Sequence, residues 1–214
     1  MSPLPTHLSD RWQNRPEPRP DLGVVYWHIL LGSNSQVSAM AMNAQRRLAE
    51  FGGLHMTPLR WLHITLLVAG STDDIAPTAM SDMLRDAGES LSRTPPAKVV
   101  IGRLIYHPEA IMLAVTPQHV LRPVLDAVQS ATNRITGKDG VVNGGSAEGW
   151  TPHITLCYST AQQPAGPIIA TLGKSLPADE ITIDALSLVV QRGAERLWDW
   201  HPVGTIELAG AGDG

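Results

Sequence analysis

A four-residue word occurs twice in this chain, as His63-Ile64-Thr65-Leu66 and as His153-Ile154-Thr155-Leu156. Side chains alternate across a β-strand, so on a strand each copy sorts its residues by parity. In the first copy Leu62, Ile64, Leu66 and Val68 take one face, and His63 and Thr65 take the other. In the second, Ile154 and Leu156 oppose His153 and Thr155. Each copy therefore predicts a strand with an apolar side for burial and an imidazole and a hydroxyl displayed opposite. Residues two apart on the displayed face stand roughly 6.6 Å apart at the backbone. At that separation one histidine and one threonine reach different oxygens of a small tetrahedral anion. Two such strands facing each other supply two histidines and two hydroxyls.

The flanking sequence sets both copies at the same point of a coarse repeat. Val24 to Leu31 predicts a strand with Val25, Trp27, Ile29 and Leu31 on its apolar face and Tyr26 and His28 on the other. Residues 35–51 read as a helix: Val37, Ala41, Ala44, Leu48 and Phe51 recur at helical spacing before Gly52-Gly53. The first motif strand, about 59–68, follows. Further on come a strand at 110–115, a helix from Thr116-Pro117 to about 135, and the second motif strand at about 151–158; Pro123 delays the regular part of that helix. Two similar units predict two lobes related by an approximate two-fold axis.

The remaining elements are a helix over 73–92 capped by Thr72, with Asp73 and Asp74 at its positive end, a strand at 97–106, and a turn near His107-Pro108. A short helix at 165–175 and closing strands near 180–191 and 196–209 complete them, the last two joined by Arg192-Gly193-Ala194-Glu195. Residues 1–21 carry Pro3, Pro5, Pro16, Pro18 and Pro20 with Arg11, Arg15 and Arg19, and predict an extended arm preceding a body spanning 22–209, either pinned to it by Trp12 or left as a floppy tail. The glycine-rich stretch 137–149 predicts a flap-like loop beside the second motif, and 210–214 a flexible tail.

Composition narrows the function classes. A hydrophobic content of 43% supplies the core of one large domain or of two lobes. A net charge of −4 argues against a generic polyanion binder, so a nucleic acid would be held locally, through few phosphates. Cys157 is the only cysteine, which excludes an internal disulfide and fits a reducing cytoplasm. No apolar run approaches a membrane span, and the N-terminus lacks the apolar core of a signal peptide. The chain reads as a cytoplasmic monomer with no obligate protein partner and no membrane contact.

No cofactor is expected. Gly173-Lys174-Ser175 lacks the upstream glycine of a phosphate loop, Ile168 standing in its place, and no glycine fingerprint follows a strand. No metal is expected either. His153 and Cys157 share a face but lie roughly 13 Å apart on an extended strand. Cys157 then reads as an inert small side chain on the histidine face.

Cleavage of a phosphodiester needs a base to take a proton from the attacking oxygen and an acid to give one to the leaving oxygen. Histidine suits both roles near neutral pH. Two histidines on opposite sides of one phosphorus divide the work without a metal, and each threonine can donate to a non-bridging oxygen. The symmetry leaves open which histidine is acid and which is base.

These paired words, with Trp61-Leu62 before the first and Trp150-Thr151-Pro152 before the second, resemble those of the two-histidine (2H) phosphoesterase superfamily. Within it the resemblance is to the 2′–5′ RNA ligase and cyclic phosphodiesterase branch, from about Tyr26 to Leu208. It implies an α+β, bilobal fold: two antiparallel sheets with flanking helices around a central cleft. It implies His63 and His153 as the acid/base pair and Thr65 and Thr155 as phosphate donors. It further implies metal-free hydrolysis of the 2′,3′-cyclic phosphate of a nucleotide or RNA end, usually to a 2′-phosphomonoester, with 2′–5′ ligation as the reverse.

Candidate substrate-binding residues stand around the words. Trp61 has the parity of the histidine face and reads either as a stacking platform for a base, an interaction worth ~1–3 kcal/mol, or as a core tryptophan at a lobe edge. Tyr26 and His28 could line the site. Arg60, Arg103 and Arg192 are candidate phosphate clamps. The chain departs from many RNA-directed members in having Cys157-Tyr158 where they carry a basic residue after the second word. Two alternatives stay open: a nucleotide- or RNA-binding module without turnover, and an enzyme for another phosphodiester, such as a cyclic ADP-ribose phosphate or a 2′–5′ oligonucleotide.

Overall fold

The structure is a computed structural model that describes residues 4–15, 19, 21–142 and 149–209. In chain order its elements are β1 (His7–Leu8), β2 (Gly23–Leu30), α1 (Ser35–Leu48), β3 (Leu54–Met56), β4 (His63–Ser71), α2 (Pro77–Leu91), β5 (Ala97–His107) and β6 (Ala110–Ala114). They continue as α3 (Arg122–Thr136), β7 (His153–Ser159), β8 (Gln163–Pro164), α4 (Gly166–Leu172), β9 (Ser175–Ile183), β10 (Ala185–Arg192) and β11 (Trp200–Glu207). One antiparallel sheet has the order β11-β10-β2-β4 and the other β3-β7-β6-β5-β9. The β1–β8 pair forms a separate small ribbon. No helix among the described residues is long and apolar enough to cross a membrane.

The helices decide how the two sheets fit together. α1 starts where the Asn34 side chain accepts from the Val37 N–H at 3.0 Å. It buries Val37, Ala41, Ala44 and Leu48, the residues that its spacing marks. Yet α1 does not cover the sheet of the strands that flank it in sequence. It packs on β7, β9 and α4, and Gln45 donates to the carbonyls of Thr57 and Leu156 at 2.7 and 2.9 Å. α3 does the converse. Connecting β6 to β7 of the second sheet, it packs on β4 of the first, and Thr132 accepts from the Trp27 indole at 3.1 Å. The halves thus exchange helices, and one hydrophobic cluster runs through both. The helices lie on the outer faces, and the inner faces of the sheets line the cleft between them.

Several boundaries differ from the sequence reading. The first motif strand begins at His63 rather than near 59, because Leu59–Trp61 form a 3-10 turn. Gly32 permits this turn to lie where it does: a Cβ there would stand 2.2 Å from the Arg60 carbonyl oxygen. The next helix begins at Pro77, not 73. Proline suits the first helical position, having no N–H to leave unpaired. The Thr72 hydroxyl accepts from the Gly23 N–H at 2.9 Å instead of capping a helix. Asp73 pairs with Arg19 and Asp74 with Lys138. The span read as one strand at 180–191 is two, β9 and β10, separated at Asp184. The short strand β3 had no counterpart in the sequence reading. Much of the expected loop at 137–149, the tail at 210–214, and arm residues 1–3, 16–18 and 20 lie outside the described residues.

Candidate active site

Both histidine words end in the same backbone irregularity. β2 and β4 pair His28 with Thr65 and Trp27 with Leu67, so the register skips Leu66. β6 and β7 pair Met112 with Thr155 and Ile111 with Cys157, so it skips Leu156. Each word therefore closes on a β-bulge, which adds a residue and reverses parity beyond it. Leu66 and Leu67 are both fully buried, and Val68 turns to the cleft. Leu156 and Cys157 are likewise both buried, and Tyr158 turns to the cleft. This corrects strict alternation at two places: Val68 leaves the apolar face, and Cys157 leaves the histidine face. Burial pushes the Cys157 thiol up to about 12, which makes it a poor nucleophile.

The two histidines are held alike. His63 Nδ1 lies 2.7 Å from the Trp61 carbonyl oxygen, and His153 Nδ1 lies 2.8 Å from that of Thr151. A carbonyl only accepts, so each Nδ1 carries a proton and donates it. In the neutral ring Nε2 then keeps its lone pair for chemistry. Burial pulls the His63 imidazole down to about 4, with the charge of His153 adding to the effect and the Trp61 carbonyl opposing it. Burial also lowers His153, and nearby Arg11 and His107 push the same way.

The words face a single cleft of about 620 Å³ lined by His63, Thr65, His153 and Thr155. Tyr26 and His28 line it too, stacked on each other at 5.0 Å, with the His28 ring 4.4 Å from that of His63. The other sequence candidates stand outside it. Trp61 sits in the 3-10 turn, beyond the reach of the strand's parity, and meets Trp200 edge-on at 4.8 Å. Arg60 lies over the Trp61 ring at 5.3 Å. Arg192 alternates with the cleft residue Gln191 and so points away, donating to the Asp21 carbonyl at 3.3 Å. Arg103 is an exposed residue of β5.

The cleft's cations come instead from the N-terminal arm. Leu8 is buried and pairs with β8; the Ser9 and Arg11 N–H groups donate to the carbonyls of Pro108 and Ser159 at 2.8 and 2.9 Å. These contacts bring Arg11 and Arg15 to the cleft. Arg11 pairs with Glu195 at 2.6 Å and with Glu109 at 3.0 Å, and Arg15 with Glu109 at 2.7 Å. Glu109 belongs to the β5–β6 turn of one sheet and Glu195 to the β10–β11 connection of the other. The arm thus ties the two sheets together at the rim. Trp12 adds an indole bond to Glu195 at 3.2 Å and packs edge-on against His55 and Tyr158. Arg11 also lies over the Tyr158 ring at 4.8 Å, so the arm puts a cation beside the position where the second word lacks one.

Replacing Arg11 by Met leaves two carboxylates without this partner. It is expected to cost roughly 2 kcal/mol and to lower Tm by about 4–8 °C. Thermal denaturation checks this, and limited proteolysis should cut the released arm first.

Glu195, Trp198 and Trp200 also line the cleft and were not singled out by the sequence. Trp198 adopts φ +47, a left-handed conformation uncommon for a non-glycine residue, and its ring lies flat on His55 at 5.0 Å. A turn residue with an ordinary side chain carried no sequence signal for either feature.

Two sheets that each present a His-x-Thr pair to a shared cleft define a two-histidine phosphoesterase architecture. Residues 37–195 match the family model described as the 2'-5' RNA ligase superfamily, and the chain belongs to that superfamily. Solved structures agree in fold. TT0787 of Thermus thermophilus is similar at a TM-score of 0.62 and 18% identity, covering 88% of this chain and 99% of its own. E. coli LigT complexed with 3'-AMP gives 0.61 and 14%, covering 88% and 98%. The MHV ns2 PDE domain gives 0.57 and 13%, covering 78% and 98%. No curated protein matches the chain in sequence. Membership of the superfamily supports a phosphodiesterase-type activity.

Proposed function

We propose that this protein is a metal-independent cyclic phosphodiesterase that opens the 2′,3′-cyclic phosphate of a nucleotide or RNA end. The observation that carries the reading is the matched pair of imidazoles on one cleft, each with Nδ1 tied to its own backbone and a threonine two residues on. A phosphate bound between them is attacked by water. One Nε2 takes the water proton as the new P–O bond forms. The other ring, protonated beside the anion, gives its proton to the departing ribose oxygen as the old P–O bond breaks. The hydroxyls of Thr65 and Thr155 donate to the non-bridging oxygens, where charge accumulates. Burial lowers both imidazoles, so both rest neutral with Nε2 free, and the charge of the bound phosphate favours protonation of the one that serves as acid.

The presence of 3'-AMP in the E. coli LigT structure supports a nucleotide as the occupant. The buried free Cys157 agrees with a reducing compartment such as the cytoplasm. The test is incubation with 2′,3′-cyclic nucleotides in EDTA, with the product identified as the 2′- or the 3′-phosphate. Turnover is expected to survive chelation. Tight binding with no turnover would instead make the protein a nucleotide-binding module.

A further inference from the structure

The approximate two-fold relation between the words breaks in the neighbouring strand. β2 sets His28 opposite Thr65, whereas β6 sets Met112 opposite Thr155. His28 lines the cleft but is only 2% exposed, and its Nδ1 is buried without a hydrogen-bond partner. A buried N–H left unpaired is rarer and costlier than a buried lone pair left unpaired. The neutral ring therefore carries its proton on Nε2, the opposite tautomer to His63. The ring is also confined. Tyr26 stacks on it at 5.0 Å, His63 lies against it at 4.4 Å, and Trp200 at 5.3 Å. Burial first, and then His63, hold its imidazole well below the ordinary range, with the Trp27 backbone pulling weakly the other way from beyond hydrogen-bond geometry, so the ring stays uncharged.

We infer that His28 is a substrate-contacting residue whose Nε2–H donates to a non-bridging oxygen of the reacting phosphate, on the side held by His63 and Thr65. The inference rests on the cyclic phosphodiesterase reading and deepens it. His28 and Thr65 are directly paired across adjacent strands, so their side chains stand close enough to serve one oxygen. The second word has only Met112 in the corresponding place. The site is then symmetric in its acid and base but lopsided in its donors, with the extra one beside His63. A fixed neutral donor stabilises developing negative charge without the cost of burying a cation.

Two variants and one titration test this. His28→Phe keeps a ring among Tyr26, His63 and Trp200 but removes the N–H; His28→Gln keeps a donor. With a 2′,3′-cyclic nucleotide, Phe is expected to lower kcat about 100-fold while KM stays within about threefold. Gln should recover at least about tenfold of that loss. Full kcat in the Phe variant, or a Gln variant as slow as Phe at native Tm, overturns the assignment. Independently, the imidazole nitrogen signals of the unaltered protein are followed by NMR as inorganic phosphate is added. His28 should shift along the same saturation curve as His63 and His153. A silent His28 beside two responding histidines overturns this inference alone. Silence of all three removes the phosphate site itself, and with it the proposed function.

Discussion

His63→Ala and His153→Ala are each expected to lower kcat for a 2′,3′-cyclic nucleotide by ~10²–10⁴-fold, with KM little changed. In the proposed reaction each removes one end of a proton-transfer pair, and neither threonine can replace it. The double variant should be hardly slower than either single one, because an acid without its base, or a base without its acid, already does little. Thr65→Val and Thr155→Val should cost less, since each removes a single neutral donor and leaves the proton transfers in place. Initial rates at saturating substrate check these outcomes. A single histidine variant that keeps most of its turnover would show that the two rings do not divide one reaction between them.

Acid is the second large lever. The His63 imidazole titrates at about 4 in the folded protein, against roughly 6.5 in an unfolded chain. Between those values the unfolded state binds more protons, so stability rises with pH there. The contribution is fully present above about pH 6.5, falls as pH drops towards 4, and is gone below it. For His63 alone it is on the order of 2–3 kcal/mol, allowing for partial contact with solvent. His28 and His153 are lowered by burial as well and act in the same direction. Urea unfolding at pH 7.5 and at pH 5 is therefore expected to show a clear loss at the lower pH, with a shallower slope in His63→Phe. Added phosphate should recover part of the loss, because an anion in the cleft favours the protonated rings. Equal stability at both pH values would mean that the imidazoles are not shielded as the fold implies.

Much of the site could be read from parity alone. His63, Thr65, His153 and Thr155 reach one cleft because alternation holds through the first three residues of each word. Tyr26 and His28 reach it because β2 alternates without interruption. The same rule failed one step later, at Leu66 and Leu156. A bulge is set by the register with the neighbouring strand, which a linear reading does not contain, and so Val68 and Cys157 were assigned to the wrong sides. Trp61 failed for a related reason: parity was carried back past the true start of the strand. The arm was visible as an extended, arginine-bearing segment with two readings of its fate, pinned by Trp12 or floppy. Its reach was not, because Arg11 finds Glu109 and Glu195 at 98 and 184 residues' separation. The helices were legible as amphipathic segments, but their spacing says only that one side is buried, not which sheet buries it.

That choice of sheet limits how the molecule can move. α1 rides on the sheet that holds the second histidine, and α3 on the sheet that holds the first. A hinge at the midpoint of the chain would have to strip each helix from the sheet it covers and expose its oily back to water. Any change in the gap between the imidazoles that kept both helices seated would have to carry whole layers past each other, each built from both halves of the sequence.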